Sequence, residues 1–434
     1  MRAPLGLLAI TLALACFEEG GPRVTTVGMD DDGPTTSSGS GSTHASETGP
    51  SPTDTDPTVD STGTTAPTET VDTSTGQLPM GICGDGLATP GELCLDGITV
   101  VMANAPVVAV RIGPVSGTAD PDLVYLIPNQ VVIRPGNGSG NFGSAVFDES
   151  LMGRTFELAD MDGDDQLDLV ALVEDGPLRV LLGTGAGFTP SDLDPVGTDP
   201  QVMTLGDLDG NGTLDAVIGT GTTAMLVPVL GSGDGEVAPL AGVNGFGAVH
   251  GLAMADFTGE GNTDVALAIQ GGAIEGVALR PGDGQGGLLM QQTTPGAMSG
   301  AVDLAAGDFD GDGNPDLAYI SRTDNMLGVL IADGDGGFEP ERVLPMGQGP
   351  ARLVADDLTG NGRDELVVAH ADESTLRFVA CQADGTPVEA AMVMLPGGTI
   401  ATDLATGDVN DDGVPDVAVA VRDQNIVRLL LSEP

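Results

Sequence analysis

The chain has 434 residues, with 64 Asp and Glu against 14 Lys and Arg, and all 14 cations are Arg, giving a formal net charge of −50. Without Lys there is no Walker A loop and no Schiff-base enzyme. Without a basic footprint there is neither nucleic-acid binding nor attraction to an anionic membrane surface. A 40% hydrophobic content supports a sizeable core, and 67 Gly with no Trp and two Tyr point to many tight turns.

Residues 1–16 read as an export signal. Arg2 is followed by an apolar run from Leu5 to Leu14, too short to span a bilayer, and Ala13-Leu14-Ala15 offers a cleavage site. Cys16 follows directly. The arrangement resembles a bacterial lipobox, with Ala13 where Leu is usual, and the resemblance implies lipidation of Cys16. Residues 17–77 are Ser, Thr, Gly, Pro and Asp with almost no large apolar side chain, so they cannot offset their ordering entropy. They are expected to form a disordered stalk reaching roughly 45 Å.

The stretch Cys83-Gly84-Asp85-Gly86 to Gly91-Glu92-Leu93-Cys94 resembles a short cysteine motif of exported myxobacterial proteins. In an oxidising compartment Cys83 and Cys94 are expected to pair, closing a small loop within residues 78–97. Cys381, in Phe378-Val379-Ala380-Cys381, reads as a buried inert thiol.

From residue 98 onward one pattern recurs. Its clearest copy is Asp308-Phe309-Asp310-Gly311-Asp312-Gly313-Asn314-Pro315-Asp316, followed by Leu317 to Ile320. Others open at Asp160, Asp207, Asp256, Asp357 and Asp408, spaced 47 to 52 residues apart, and an eroded copy spans Pro114–Leu123. Each unit holds four short β-type runs bounded by turn residues, with no run long enough for a stable helix, as expected of a four-stranded propeller blade.

The acidic loop, the following D-L-A or D-V-A, and the G-D-G-x-G-F turn resemble FG-GAP and VCBS-type repeats, the family of the integrin α-subunit propeller. The resemblance covers roughly 98–434 and implies an all-β, seven-bladed propeller. The last unit stops after three strands, so Ile98 to Met102 is expected to supply the missing outer one and remove an exposed edge.

In each loop, positions 1, 3, 5 and 9 offer side-chain oxygens and position 7 a backbone carbonyl. The candidate ligands are Asp160, Asp162, Asp164, Gln166 and Asp168; Asp207, Asp209, Asn211, Thr213 and Asp215; and Asp308, Asp310, Asp312, Asn314 and Asp316. The remaining sets are Asp408, Asn410, Asp412, Val414 and Asp416; Asp256, Thr258, Glu260, Asn262 and Asp264; and Asp357, Thr359, Asn361, Arg363 and Glu365, the last two sets being the weakest. Oxygen-only coordination by hard ligands suits Ca²⁺. Position 12 lacks the Glu of an EF-hand, and the resemblance implies that the position-9 acid replaces it. The competing reading is a set of Asx turns needing no ion. Charge favours the cation: residues 98–434 hold 50 acids and 12 Arg, a net of −38, and clustered carboxylates repel one another.

No catalytic set emerges. The three His are scattered, and H-E-x-x-H and G-x-S-x-G are absent. The matches Gly138-Gly140-Gly143 and Gly282-Gly284-Gly287 to G-x-G-x-x-G fall in turns between third and fourth strands. Without Trp, a carbohydrate platform is disfavoured. His250 and Arg352 stand just before inner strands, where the mouth of a propeller would lie, although a polar residue at a strand start is the simpler reading of both.

The expectation is therefore a non-enzymatic, calcium-stabilised, extracytoplasmic binding or adhesion module. It would be secreted or held at the outer membrane or cell surface by lipid on Cys16, monomeric, with an unidentified protein or surface ligand as partner. The rivals are a lyase or phospholipase carried on such repeats and a non-catalytic envelope scaffold.

Overall fold

A computed structural model describes residues 93–433, apart from 148–149, 174–175, 273–274, 291, 294–297, 335 and 396–399. The export signal, Cys16, the 17–77 segment and the Cys83–Cys94 pairing lie outside the described residues. All regular structure among the described residues is β.

Seven antiparallel sheets follow one another, six of them with their strands in chain order from the inside outward. Their first strands are Ala109–Gly113, Gly153–Ala159, Pro200–Gly206, Ala248–Ala255, Ala301–Gly307, Pro350–Asp356 and Ala401–Gly407, which define blades 1 to 7. Six blades take all their strands from consecutive sequence. In blade 3 the outer strand is split in two: Val237–Pro239 and Val243–Asn244 both pair with the third strand, Met225–Gly231.

The second strand of each blade reads as an almost unbroken apolar run because both of its faces are covered. Every residue of Asp122–Ile127, Asp215–Thr220, Asp316–Ser321, Glu365–His370 and Asp416–Val421 is buried. Strands enclosed on both faces lose the polar alternation of half-exposed ones. The core is correspondingly divided: seven apolar clusters fill the seven spaces between neighbouring blades. Aromatics are scarce, so Val, Leu and Ala do most of this filling, with Tyr125, Phe156, Phe257, Phe309, Tyr319 and Phe378 as the large buried rings.

The ring closes between the two ends of this domain. Cys94–Met102 pairs antiparallel with Ile426–Glu433 and becomes the outer strand of blade 7, starting four residues before the expected Ile98. Val101 is opposite Val427 and buried against Val107, Val110 and Leu429 between blades 7 and 1. Without this strand, Ile426–Glu433 would present a bare row of backbone donors and acceptors.

Deleting residues 98–103 should lower the urea midpoint and promote self-association through the bared Ile426–Glu433 edge. Val101→Ala should cost about 2 kcal/mol by cavity formation. A melt unchanged by the deletion would contradict the closure.

Candidate functional site

Six acidic loops join first strands to second strands, all at one end of the blades. Each loop wraps its backbone around its first Asp. Asp160 accepts from the N–H groups of Gly163 (2.8 Å), Asp164 (3.2 Å) and Asp165 (3.0 Å). Asp308 accepts from Gly311 (2.8 Å) and Gly313 (3.0 Å), and Asp207, Asp256, Asp357 and Asp408 repeat the arrangement. Position 6 makes this possible through a left-handed backbone, with φ from 85° to 96° at Gly212, Gly261, Gly313, Gly362 and Gly413. Asp165 adopts the same conformation at φ 67° without being Gly. Position 5 is spent locally: Asp164, Asn211, Asp312, Asn361 and Asp412 each accept from the position-7 N–H in an Asx turn.

The position-9 acid has a structural duty that the ligand pattern did not disclose. Asp316 is fully buried; one oxygen accepts from Phe309 N–H at 2.9 Å and the other from Ala332 N–H at 2.8 Å. It thus ties the start of its loop to the exit of the third strand. Asp168, Asp215 and Asp416 do the same with Met161 and Gly183, Leu208 and Gly231, and Val409 and Ser432. Asp264 binds Gly282 N–H with one oxygen and Thr258 with the other. Asp122, in the eroded first copy, keeps the whole arrangement with Val115, Ser116 and Gly136 although Pro114 and Ser116 have replaced the ligands. The tie therefore serves the blade by itself.

The loops differ in what remains available for a cation. In three, carboxylate oxygens lie within 4.8 Å of one another: Asp160, Asp162 and Asp168; Asp207, Asp209 and Asp215; and Asp308, Asp310 and Asp316. These residues fit an oxygen-coordinated divalent ion, with backbone carbonyls of Gln166, Thr213 and Asn314 nearby in sequence. Candidate ligands also bond to each other, in these loops as Gln166 to Asp164 at 2.7 Å and Asn314 to Asp312 at 2.8 Å, and in the other three as well. Thr258 donates to Asp264, and Asn410 donates to Asp412 at 2.8 Å. In the Asp357 loop, Thr359 and Asn361 donate to Glu365 Oε1, while Glu365 Oε2 is buried and has no partner among the described residues. Arg363 in that loop is buried and donates to the Cys381 carbonyl. Asp364, at position 8, accepts from Asp308 N–H at 2.9 Å and so joins blades 5 and 6.

Burial dominates the acids' titration. It pushes Asp316 up to about 8, against the Ala332 and Phe309 N–H groups and with help from Asp310 and Asp308. Burial likewise raises Asp168 and Asp416 to about 6, Asp364 to about 7 and Glu365 to about 8, and raises Asp215 and Asp264. Cys381 is half-buried, and its thiol is driven up by burial and then by Asp316 and Glu365, which disfavours a reactive thiolate.

At the opposite end of the first strands, all seven blades surround an axial cavity of about 310 Å³. Arg111 is clasped by Glu157 at 2.6 and 2.7 Å and by Asp403 at 2.8 Å, linking blades 1, 2 and 7. Burial alone would depress its guanidinium, but Glu157 and Asp403 outweigh burial and hold it above its usual value. His250 and Arg352, set apart in the sequence reading, both line this cavity. Arg111, Glu157, Asp303 and Asp403 were missed; the only signal was a polar residue within an otherwise apolar inner run.

Residues 160–218, 256–319, 308–368 and 357–419 match the FG-GAP-like repeat. No curated protein matches the chain. Among solved structures, an Agrocybe aegerita lectin, described in its recognition of non-reducing terminal N-acetylglucosamine, shares 17% identity, with 76% of this chain and 86% of the lectin covered at a TM-score of 0.52. BBS1N, in a complex with ARL6DN, shares 12% identity, with 79% and 98% covered at 0.54. Chaetomium thermophilum Raptor shares 11% identity, with 77% of this chain and 29% of Raptor covered, also at 0.54. These likenesses concern the fold.

Asp122→Asn should destabilise the protein by about 2 kcal/mol equally with calcium and with chelator, because its hydrogen bonds serve no ion. Asp310→Asn should destabilise when calcium is present and stabilise slightly in chelator, where it removes one charge from an uncompensated cluster; equal calcium dependence for the two variants would overturn this division. Acidification gives a second test. Carboxyls whose folded pKa is raised take up protons more readily in the folded state, so folding gains stability as pH falls from about 8 toward 5. The buried His370 opposes this, because burial and then Arg377 lower its pKa. The acids outnumber it, so the calcium-free melting temperature should rise between pH 8 and 5.5, and calcium should flatten the slope.

Proposed function

The chain belongs to the FG-GAP-like repeat family, and on that footing we propose that it is a calcium-stabilised, exported propeller that works as a rigid binding module. The observation that carries this reading is the convergence of three carboxylates in each of three separate loops. Such groupings are costly while charged and uncompensated. Asp160, Asp162 and Asp168, with their counterparts at Asp207 and Asp308, would hold the ions, and each ion would supply the positive charge that the loop lacks.

The loops also touch neighbouring blades, so ordering them stiffens the ring as a whole. Thr263 Oγ1 donates to the Asp207 carbonyl at 2.6 Å, Gly235 N–H to the Met161 carbonyl at 3.3 Å, and Gly140 N–H to the Val409 carbonyl at 2.9 Å. A binding role agrees with propellers of similar shape that recognise a terminal sugar or take part in a protein complex. Export and a lipid anchor at Cys16 rest on the apolar start and the Ala13-Leu14-Ala15 site, and the long polar segment would set the propeller away from the membrane.

Chelator should lower the melting temperature by several degrees, with recovery on adding calcium but not an equal ionic strength of sodium. A capture from the native cell surface should lose its partner under the same chelation. A chelator-insensitive melt would remove calcium from this account.

A further inference from the structure

The axial cavity is shaped by a repeated irregularity. In blades 2 to 7 the pairing of first and second strands slips by one residue near the start of the first strand. The residue left out of register is Arg154, Gln201, His250, Val302, Ala351 and Thr402 in turn. An extra residue bends its strand and re-aims a side chain. Here Arg154, Gln201, His250 and Thr402 all reach the same cavity, joined by Arg352.

The scaffold positions beside these bulges repeat: Leu252, Leu304, Leu353 and Leu404 are all buried apolar residues. The bulged residues do not repeat. They are polar along the arc of blades 2 to 4 and small and apolar in blades 5 and 6. Packing alone gives no reason for that difference, whereas contact with an asymmetric ligand does.

The cavity's acids are already engaged in holding blades together. Glu157 and Asp403 clasp Arg111, and Asp403 also accepts from Val110 N–H at 3.0 Å. Asp303 accepts from Leu353 N–H and Leu304 N–H, each at 3.1 Å. Arg352 stands apart. Its Nε and Nη1 donate to the Thr402 and Ala351 carbonyls at 2.9 Å, and among the described residues no carboxylate oxygen lies within 4.0 Å of it. It therefore forms no direct ion pair, although its charge reaches the buried Asp303 and partly offsets the rise that burial imposes on that carboxyl, and it sits on the exposed rim of a domain whose net charge is −38. His250 is close enough for Arg352 to help depress its pKa, after burial.

We propose that this mouth binds a small organic carboxylate, held by the Arg352 guanidinium and flanked by His250, Gln201 and Arg154. A planar guanidinium matches a carboxylate edge and keeps its charge at any working pH. The cavity volume, at the low end for ligand pockets, favours a compact molecule. The surrounding acidic surface would repel a polyanion. This site goes beyond the calcium reading: it lies about 20 Å from the acidic loops, the length of a seven-residue strand.

The test is calorimetric titration of the full-length, calcium-loaded protein with acetate and with succinate, using succinamide as the neutral isostere. Saturable binding of a carboxylate but not of succinamide is expected. Arg352→Ala should weaken it about tenfold or more in a protein that still unfolds cooperatively, and Arg352→Lys should recover part of the loss. Absence of saturable binding by both carboxylates, equal binding of succinamide, or wild-type affinity in Arg352→Ala would overturn the proposal. Carboxylate binding with a chelator-insensitive melt would keep this site and remove the calcium reading; a calcium-dependent melt without binding would do the reverse.

Discussion

A carboxylate buried at the head of the second strand holds each blade to its loop. In Asp168, Asp215, Asp316, Asp416 and the loop-less Asp122, both oxygens accept backbone N–H groups from segments on either side. The N–H donors at the loop start and at the end of the third strand would otherwise be buried without partners, which costs more than an ordinary hydrogen bond returns. The same burial makes the charge expensive. A cation beside the loop would meet that cost where the carboxylates of positions 1 and 3 converge on it, and a proton would do so where they do not.

This arrangement separates two tasks along each inner strand. One end carries the acidic loops and their contacts with neighbouring blades. The other end carries the bulges, whose side chains vary from blade to blade around the cavity. A ring of nearest-neighbour contacts, closed by Cys94–Met102, lets the first end be repetitive and rigid while the second differs by blade.

The architecture was legible in the sequence because its signals are local. A spacing near 49 residues, an acidic loop, an apolar run and a Gly-rich turn recur within one unit and need no tertiary information. The closing strand was also readable, because Leu431 ends its unit one strand short, although the pairing extends back to Cys94. The departures at Thr258 and Thr359 were legible, and both hydroxyls are bonded to the acid at position 9. Nothing in the sequence shows that Asn410 turns toward Asp412, as Asn314 turns toward Asp312 in the Asp308 loop. The axial cavity was least legible. Arg111 meets Glu157 at a distance of 46 residues and Asp403 at 292, and only closure of the ring brings them together.

The central claim is that divalent ions fill the converging acidic loops. Elemental analysis of the full-length protein, equilibrated with calcium and then freed of unbound metal by gel filtration, tests it most directly. The account predicts calcium at three equivalents or more, one for each of the Asp160, Asp207 and Asp308 loops, and the loss of one equivalent in Asp310→Asn. A properly folded protein that retains no calcium would contradict it.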